Sequence, residues 1–196
     1  MAGRMRGAWI RRAAAAPALL AMAAMAALVA CGGGGGGGTP TGPPPPTAAI
    51  VFTPAGAGGA NSIALAAESS TDASTLVLDV RASGVTDLYG FTFNLTYPSQ
   101  VLHFAGATEG TFENAAGSVN TAFQAVENPA GTLVVAVSRL GAVGGASGSG
   151  VLATLRFTSA ASGSGTFNFS RNRGFNSTGA EVAGLTWVGG SVTVVH

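Results

Sequence analysis

The sequence predicts an all-β protein, an antiparallel β-sandwich of about nine strands, on three observations. Apolar and polar residues alternate with a period of two along most of the chain after residue 48, which is typical of strands with one buried face. Turn-forming stretches such as "ASGVTD", "NPAG" and "GGASGSG" separate these runs at the spacing of a sandwich. No window in this part shows a helical period with capping residues. Short strands are unstable alone, so these must bury their apolar faces as two packed sheets.

The first 30 residues are expected to be a secretory signal that precedes the folded part. Four arginines and no acidic residue occur up to Arg12, and residues 13–30 contain only Ala, Leu, Met, Val and Pro17. A basic start followed by an apolar run with small residues at its end is the layout of a signal peptide. The alternative is an uncleaved membrane helix, which would be a weak span because alanine dominates the run and proline interrupts it.

The single cysteine, Cys31, stands at the end of this apolar run. The segment Leu28-Val29-Ala30-Cys31 resembles the bacterial lipoprotein box, which implies that residues 1–30 are a lipoprotein signal and that Cys31 is lipidated. A lone thiol cannot form an internal disulfide, whereas acyl chains would hold the protein on a membrane. The other interpretation is an incidental thiol in a signal anchor. Because no aspartate follows Cys31, the resemblance implies an exported protein at the outer membrane or cell surface rather than the inner membrane.

Residues 31–47 are predicted to be a flexible linker that carries a domain formed by residues 48–196. The linker is rich in glycine and proline, and as a coil it would reach roughly 20 to 24 Å. All nine basic residues of the chain are arginines, so removal of the four in the signal leaves five against eight acidic residues. A mildly acidic, charge-poor surface excludes an electrostatic footprint for nucleic acid.

The strands follow one another from residue 48 onward. "AIVFTP" is either an extra edge strand or the end of the linker, and residues 62–67 and 75–82 are predicted to be consecutive strands. In "LYGFTFNLTYP" the odd positions are apolar or aromatic, and the even positions project to the opposite face. Later strands are expected around residues 133–137, 151–157, 167–169 and 192–194. The predicted partner-binding face consists of the even positions Gly90, Thr92, Asn94 and Thr96.

The sequence offers no convincing catalytic or metal-binding pattern. His103 and His196 are the only histidines, and His103 is predicted on the solvent face of a strand. "GGASGSG" lacks the order of a nucleophile elbow, and the acidic residues do not form the D-x-[DN]-x-[DN]-G loop of a calcium site. A paired-carboxylate site could still be assembled from distant strands. We expect a protein that is not an enzyme and that requires no cofactor or metal.

Exposed aromatic rings could bind a carbohydrate, because sugars stack on them. After the signal the chain has only Trp187, Tyr89 and Tyr97 besides its phenylalanines, and most of the phenylalanines fall on the apolar side of the alternation. Trp187 and Tyr89 are therefore the candidate glycan platform. Core packing is the alternative role for Trp187.

The order of the motifs resembles the bacterial cohesin domain. "VTDLYGFTFNLTYPSQVLHFAGATEGTF", "GTLVVAVSRLG" and "GSGVLATLRF" are similar to successive cohesin segments, and the similarity runs from about Ile63 to Val195. The resemblance implies a nine-stranded jelly-roll sandwich, related in fold to some carbohydrate-binding modules. It also implies a non-catalytic receptor for calcium-loaded dockerin modules, which are often carried by polysaccharide-degrading enzymes.

Three functions remain open at this point. The first is a lipid-anchored cohesin-like module that presents one sheet face to a secreted, dockerin-bearing partner. The second is direct binding of a polysaccharide. The third is a structural or adhesive envelope protein whose partner is another subunit.

Overall fold

The computed structural model describes residues 47–196, so the predictions for the signal, for Cys31 and for the linker up to residue 46 lie outside the described residues. Residues 47–196 contain eleven strands and one short 3-10 helix, Ala115–Gly117. The strands are β1 (Ala49–Pro54), β2 (Ser62–Ala67), β3 (Thr75–Leu88), β4 (Gly90–Thr96), β5 (Leu102–Glu109), β6 (Thr121–Glu127), β7 (Thr132–Arg139), β8 (Ala146–Ser159), β9 (Gly163–Phe175), β10 (Thr186–Val188) and β11 (Gly190–Val195).

These strands form two sheets packed face to face. A six-stranded sheet has the order β1-β11-β9-β4-β7-β6, and a five-stranded sheet has the order β10-β2-β3-β8-β5. Neighbouring strands are antiparallel except for β10 and β2, which are parallel. The predicted all-β sandwich is confirmed. Two short edge strands, β1 and β10, bring the strand number above the expected nine, and β1 is the "AIVFTP" segment.

The core follows from the period-two pattern. In β4 the side chains of Phe91, Phe93 and Leu95 are buried between the sheets, and the residues between them are half-buried on the outer side. Full burial of one such side chain contributes about 1.5 to 3 kcal/mol relative to exposure. The core is built entirely from strands and loops within residues 50–194, so residues 47–196 carry their own core and are expected to fold independently.

His103 is exposed on β5, as predicted. The predicted alternation through residues 151–157 fails at its start, because the pairing of β3 with β8 shifts register between Val80 and Arg81. The shift leaves Leu152 fully buried and Val151 half-buried. Such a bulge reverses the side-chain alternation locally.

In residues 47–196 no helix has the length and hydropathy of a membrane span.

Candidate functional site

Strand β4 lies in the interior of the six-stranded sheet, between β9 and β7. Thr92, Asn94 and Thr96 share its outer side, as the alternation predicted, and each is half-buried. Gly90 is different: it is buried, and a Cβ at this position would lie 2.8 Å from the carbonyl oxygen of Val137. Gly90 therefore supports close strand packing and does not belong to the exposed face to which it was assigned.

The pairing register shows which residues lie beside this polar row. Thr92 is opposite Ala136 of β7 and Arg173 of β9, and Asn94 is opposite Val134 of β7. The Thr96 hydroxyl donates a hydrogen bond to the carbonyl oxygen of Asn168 in β9, at 3.3 Å. The outward-facing side of β9, β4, β7 and β6 forms one surface, the outer face. Apart from Arg173 and Gln124, the side chains in its central part are short and polar or small and apolar.

The apolar part of the outer face lies on β6 and β7. Val126 and Val134 are paired across these strands and are 44% and 36% exposed, which is high for valine in a sheet. Together with Gln124, Asn128 and Ala136 they line a shallow depression of about 260 Å³. Neither Val126 nor Val134 was predicted from the sequence to belong to a binding face. A signal was present, because "LVVAV" in β7 is an unbroken apolar run, and an alternating strand with a wetted outer side would interrupt it.

Charged groups contribute little to the middle of the outer face. Arg173, at one side of it, lies 3.9 Å from the carboxylate of Glu181 in an exposed ion pair. Glu127, at the end of β6, is directed to the β6–β7 turn: its Oε1 accepts hydrogen bonds from the Tyr97 hydroxyl and, at 2.8 Å, from the Gly131 amide. The hydrogen bond from Tyr97 is the main cause of the lowered pKa of Glu127. The outer face thus offers apolar contact and neutral hydrogen-bonding groups.

The two aromatic residues of the candidate glycan platform lie in different surroundings. Trp187 of β10 is half-buried, and its ring centroid lies 5.6 Å from that of Phe93 and 5.3 Å from that of Phe169. Tyr89, between β3 and β4, donates from its hydroxyl to the carbonyl oxygen of Gly141 at 2.8 Å. In the part of the chain that the structure describes, no ring contact joins Tyr89 to Trp187. The structure packs Trp187 against the core, which was the alternative role predicted for it.

The comparison with protein families decides the relationship of this chain. The model of the cohesin domain matches residues 63–194, which is well over half of the sequence. The chain belongs to the cohesin domain family. This confirms the resemblance inferred from the order of the strand motifs. Among curated proteins, none matches the sequence significantly.

Solved cohesin structures share the fold at low sequence identity. A type II cohesin domain from the cellulosome of Acetivibrio cellulolyticus is 15% identical, with a TM-score of 0.51, over 76% of this chain and 95% of that chain. Type II cohesin A11 from Bacteroides cellulosolvens is 14% identical, with a TM-score of 0.52, over 64% and 94%. A type II cohesin–X-dockerin complex from Acetivibrio cellulolyticus, an interface mutant, is 14% identical, with a TM-score of 0.52, over 65% of this chain and 95% of that chain.

One feature of this cohesin domain was not predicted from the sequence: an acidic side chain buried at one end of the sandwich. Glu113, in the segment between β5 and β6, is fully buried, and its Oε2 lies 3.9 Å from Nη1 of the buried Arg139 at the end of β7. Neither carboxylate oxygen of Glu113 has a hydrogen-bond partner among the described residues. Burial raises the pKa of Glu113 to about 7, against the opposing effect of Arg139 and with a further contribution from Glu109. No group of three or more His, Cys, Asp or Glu in residues 47–196 is arranged to hold a metal ion.

The segment that carries Glu113 is fixed to β8 by its backbone. The Gly110 amide donates to the carbonyl oxygen of Leu152 at 2.9 Å, and the Phe112 amide donates to that of Val151 at 3.0 Å. A Cβ at position 110 would lie 2.1 Å from the Val151 oxygen, so only glycine permits this approach. The close contact holds Glu113 inside the end of the sandwich.

Proposed function

We propose that this protein is an exported, lipid-anchored receptor whose cohesin domain presents the outer face to a secreted protein partner of the dockerin type. Cohesin modules are non-catalytic binding domains, so the proposed activity is capture of a partner. Cys31 would hold the chain on the outer membrane or cell surface, and residues 32–47 would separate the domain from the lipid. Through the partner, the receptor would be linked to the binding or degradation of polysaccharide.

The observation that carries the proposal is the composition of the outer face. Thr92, Asn94 and Thr96 form a row of hydrogen-bonding groups, and the exposed Val126 and Val134 lie beside it on strands paired in regular register. Exposed apolar side chains bordered by neutral polar groups are typical of surfaces that bind proteins. The interior strands of a sheet are also rigid, which reduces the entropy lost on binding.

The proposed partner class is supported by one of the similar structures. That structure is a type II cohesin in complex with an X-dockerin. Dockerin modules would be recognised in the secreted proteins by paired D-x-[DN]-x-[DN]-G loops, which bind calcium through carboxylate and carbonyl oxygens. Capture through such loops would depend on calcium.

We expect immobilised residues 47–196 to retain proteins bearing such paired loops from the native secretome when calcium is present, and to release them with a chelator. Val126→Asp should weaken this capture about tenfold or more, because the contact would bury an unpaired carboxylate. Val51→Asp is the matched control: Val51 is 56% exposed on β1, the opposite edge strand of the same sheet. Mass spectrometry of the retained proteins and titration of the tightest one give the measurement.

The same experiment separates the other two functions. If no protein is retained, but the domain is retarded in gels containing a polysaccharide, the receptor function is wrong and direct glycan binding replaces it. Trp187→Ala and Tyr89→Ala would then test the rings. If Val51→Asp abolishes capture and Val126→Asp does not, the binding surface lies at the β1 edge and the outer-face assignment is wrong.

The anchor is tested by Cys31→Ser in the full chain. We expect the unchanged protein to incorporate labelled palmitate and to sediment with the membrane fraction. The Cys31→Ser variant should incorporate no label and should lose its membrane attachment, because the chains that would be buried in the bilayer are missing. Equal sedimentation of both proteins, each unlabelled, would contradict lipidation and would favour an uncleaved membrane helix.

A further inference from the structure

Strand β6 is the least protected sheet edge in the described part of the chain. Natural sheets guard their edges by short strands, prolines, charges or bulges. The edge strand β10 has only three residues, and β5 shifts register between Phe104 and Gly106. The edge strand β1 ends with a proline. The amide of the next residue, Ala55, donates to the carbonyl oxygen of Gly189 in the direction of β11, so the amide position of Pro54 faces the free edge, and proline has no N–H to offer there. Strand β6 has seven residues in unbroken register with β7, and it contains no proline.

The hydrogen bonds at both ends of β6 identify the backbone groups on its free side. The carbonyl oxygen of Asn120 accepts from the Leu140 amide at 2.8 Å, and the Asn128 amide donates to Thr132 at 2.9 Å. Since antiparallel strands alternate between bonded and non-bonded pairs, the even-numbered residues of β6 bond to β7. The amides and carbonyls that point away belong to Thr121, Phe123, Ala125 and Glu127. No described strand pairs with this side, and no residue of β6 is buried.

The free side of β6 also lacks a charge that would repel another strand. Glu127 is the only charged residue of β6, and its carboxylate is engaged by the Tyr97 hydroxyl and the Gly131 amide at the β6–β7 turn. Gln124, in the middle of the strand, is exposed and neutral. Edge strands are commonly protected by an exposed lysine, and this protein has no lysine.

We propose that β6 pairs with β6 of a second copy of this chain, antiparallel, about a two-fold axis at Gln124. The strand "TAFQAVE" is complementary to itself in this register. Thr121 of one copy lies opposite Glu127 of the other, Phe123 lies opposite Ala125, and the side chains of the two Gln124 residues face each other. The four outward-facing residues form four bonded pairs between the copies, and these pairs exchange about eight hydrogen bonds. On the outer side, Val126 of one copy lies against Ala122 of the other. Such an interface is isologous and closed, so it gives a dimer and not a fibre.

The dimer joins the two six-stranded sheets into one continuous sheet and leaves the outer faces exposed. Two edge strands bury much less surface than the roughly 1,200 to 2,000 Å² of a stable interface, so the dimer is weak and dependent on concentration. Its formation does not depend on the proposed partner.

Sedimentation equilibrium of residues 47–196 over a wide concentration range tests the pairing. The unchanged domain should show a reversible monomer–dimer equilibrium. Gln124→Lys should weaken dimerisation roughly tenfold or more, because two lysines would face each other at the axis. An equimolar mixture of Gln124→Lys and Gln124→Glu should restore it. Val51→Lys, which adds the same charge on the opposite edge strand, is the matched control and should dimerise like the unchanged domain.

Ala125→Pro separates edge pairing from contact through the outer face. It deletes an amide on the free side, and the side chain at this position packs against the core instead of the outer surface. We expect the variant to remain monomeric with an unchanged circular dichroism spectrum; if it misfolds, the two Gln124 variants and their mixture carry the test. A monomer at every concentration of the unchanged domain would overturn the proposal. So would a folded Ala125→Pro variant that still dimerises, or a loss of dimer in Val51→Lys but not in Gln124→Lys.

Discussion

Phe157→Ala is expected to lower the free energy of unfolding of residues 47–196 by about 3 to 5 kcal/mol. Phe157 of β8 is fully buried at the point where aromatic side chains from both sheets meet. Its ring centroid lies 5.0 Å from Tyr97, 5.3 Å from Phe167 and 5.8 Å from Phe104. Rings held on β5, on β9 and just after β4 do not move freely into the space that the truncation leaves, so the loss includes a cavity contribution as well as the lost burial.

Chemical denaturation followed by the fluorescence of Trp187, the only tryptophan in this part of the chain, measures the effect. Phe104→Ala is the matched control. Phe104 is half-buried on the edge strand β5 and contacts Phe157 on one side, so we expect its truncation to cost clearly less. A loss below about 2 kcal/mol for Phe157→Ala, or equal losses for the two variants, would show that the sheets close over the gap.

The centre of the fold could be predicted from the sequence because it depends on local alternation. The aromatic residues Phe91 and Phe93 lie inside and Thr92 and Asn94 lie outside, as a period of two requires. The same pattern predicted that Gly90 would be accessible on the outer face, but the structure shows that it is buried. Alternation fixes the direction in which a side chain would point, but the approach of a neighbouring strand decides whether the position is accessible.

What could not be predicted depends on pairing between distant parts of the chain. The bulge that buries Leu152 arises from the register of β8 against β3. Asp87 accepts hydrogen bonds from the Gly145 amide and the Ser177 hydroxyl, which are 58 and 90 residues away along the chain. Val126 and Val134 form one surface only after β6 and β7 have paired. Each of these contacts joins parts of the chain that are far apart in the sequence, and a local pattern does not specify which distant parts meet.

The buried carboxyl group of Glu113 should make the stability of the domain fall as the pH rises from about 4.5 to about 7. The pKa of Glu113 is raised from its ordinary value of 4.5 to about 7 in the folded domain. The folded state therefore binds more protons than the unfolded state in this range, and stability decreases with rising pH by up to about 3 kcal/mol. The lowered pKa values of Asp72, Asp87 and Glu127 act with the opposite sign at lower pH.

Arg139→Met is expected to steepen this dependence. At pH 8 the variant would bury the Glu113 carboxyl group without its cation, and because the group can take up a proton instead of remaining charged, we expect an additional loss of about 1 to 2 kcal/mol. At pH 5 Glu113 is protonated in the folded state, so the cost should be much smaller. Because Arg139 lowers the pKa of Glu113, its removal should also extend the decline in stability to higher pH. Urea denaturation at several pH values between 5 and 9 measures both effects.

Two variants serve as controls for this prediction. Glu113→Gln removes the titrating group at nearly constant volume, so the difference between its stability curve and that of the unchanged domain isolates the contribution of Glu113. The double variant Glu113→Leu with Arg139→Met replaces the ion pair by apolar side chains, and it should recover most of the stability that Arg139→Met loses at pH 8. If Arg139→Met is equally destabilised at pH 5 and pH 8, the loss comes from the packing of the arginine side chain. The carboxylate of Glu113 would then be solvated in solution and not buried as the structure places it.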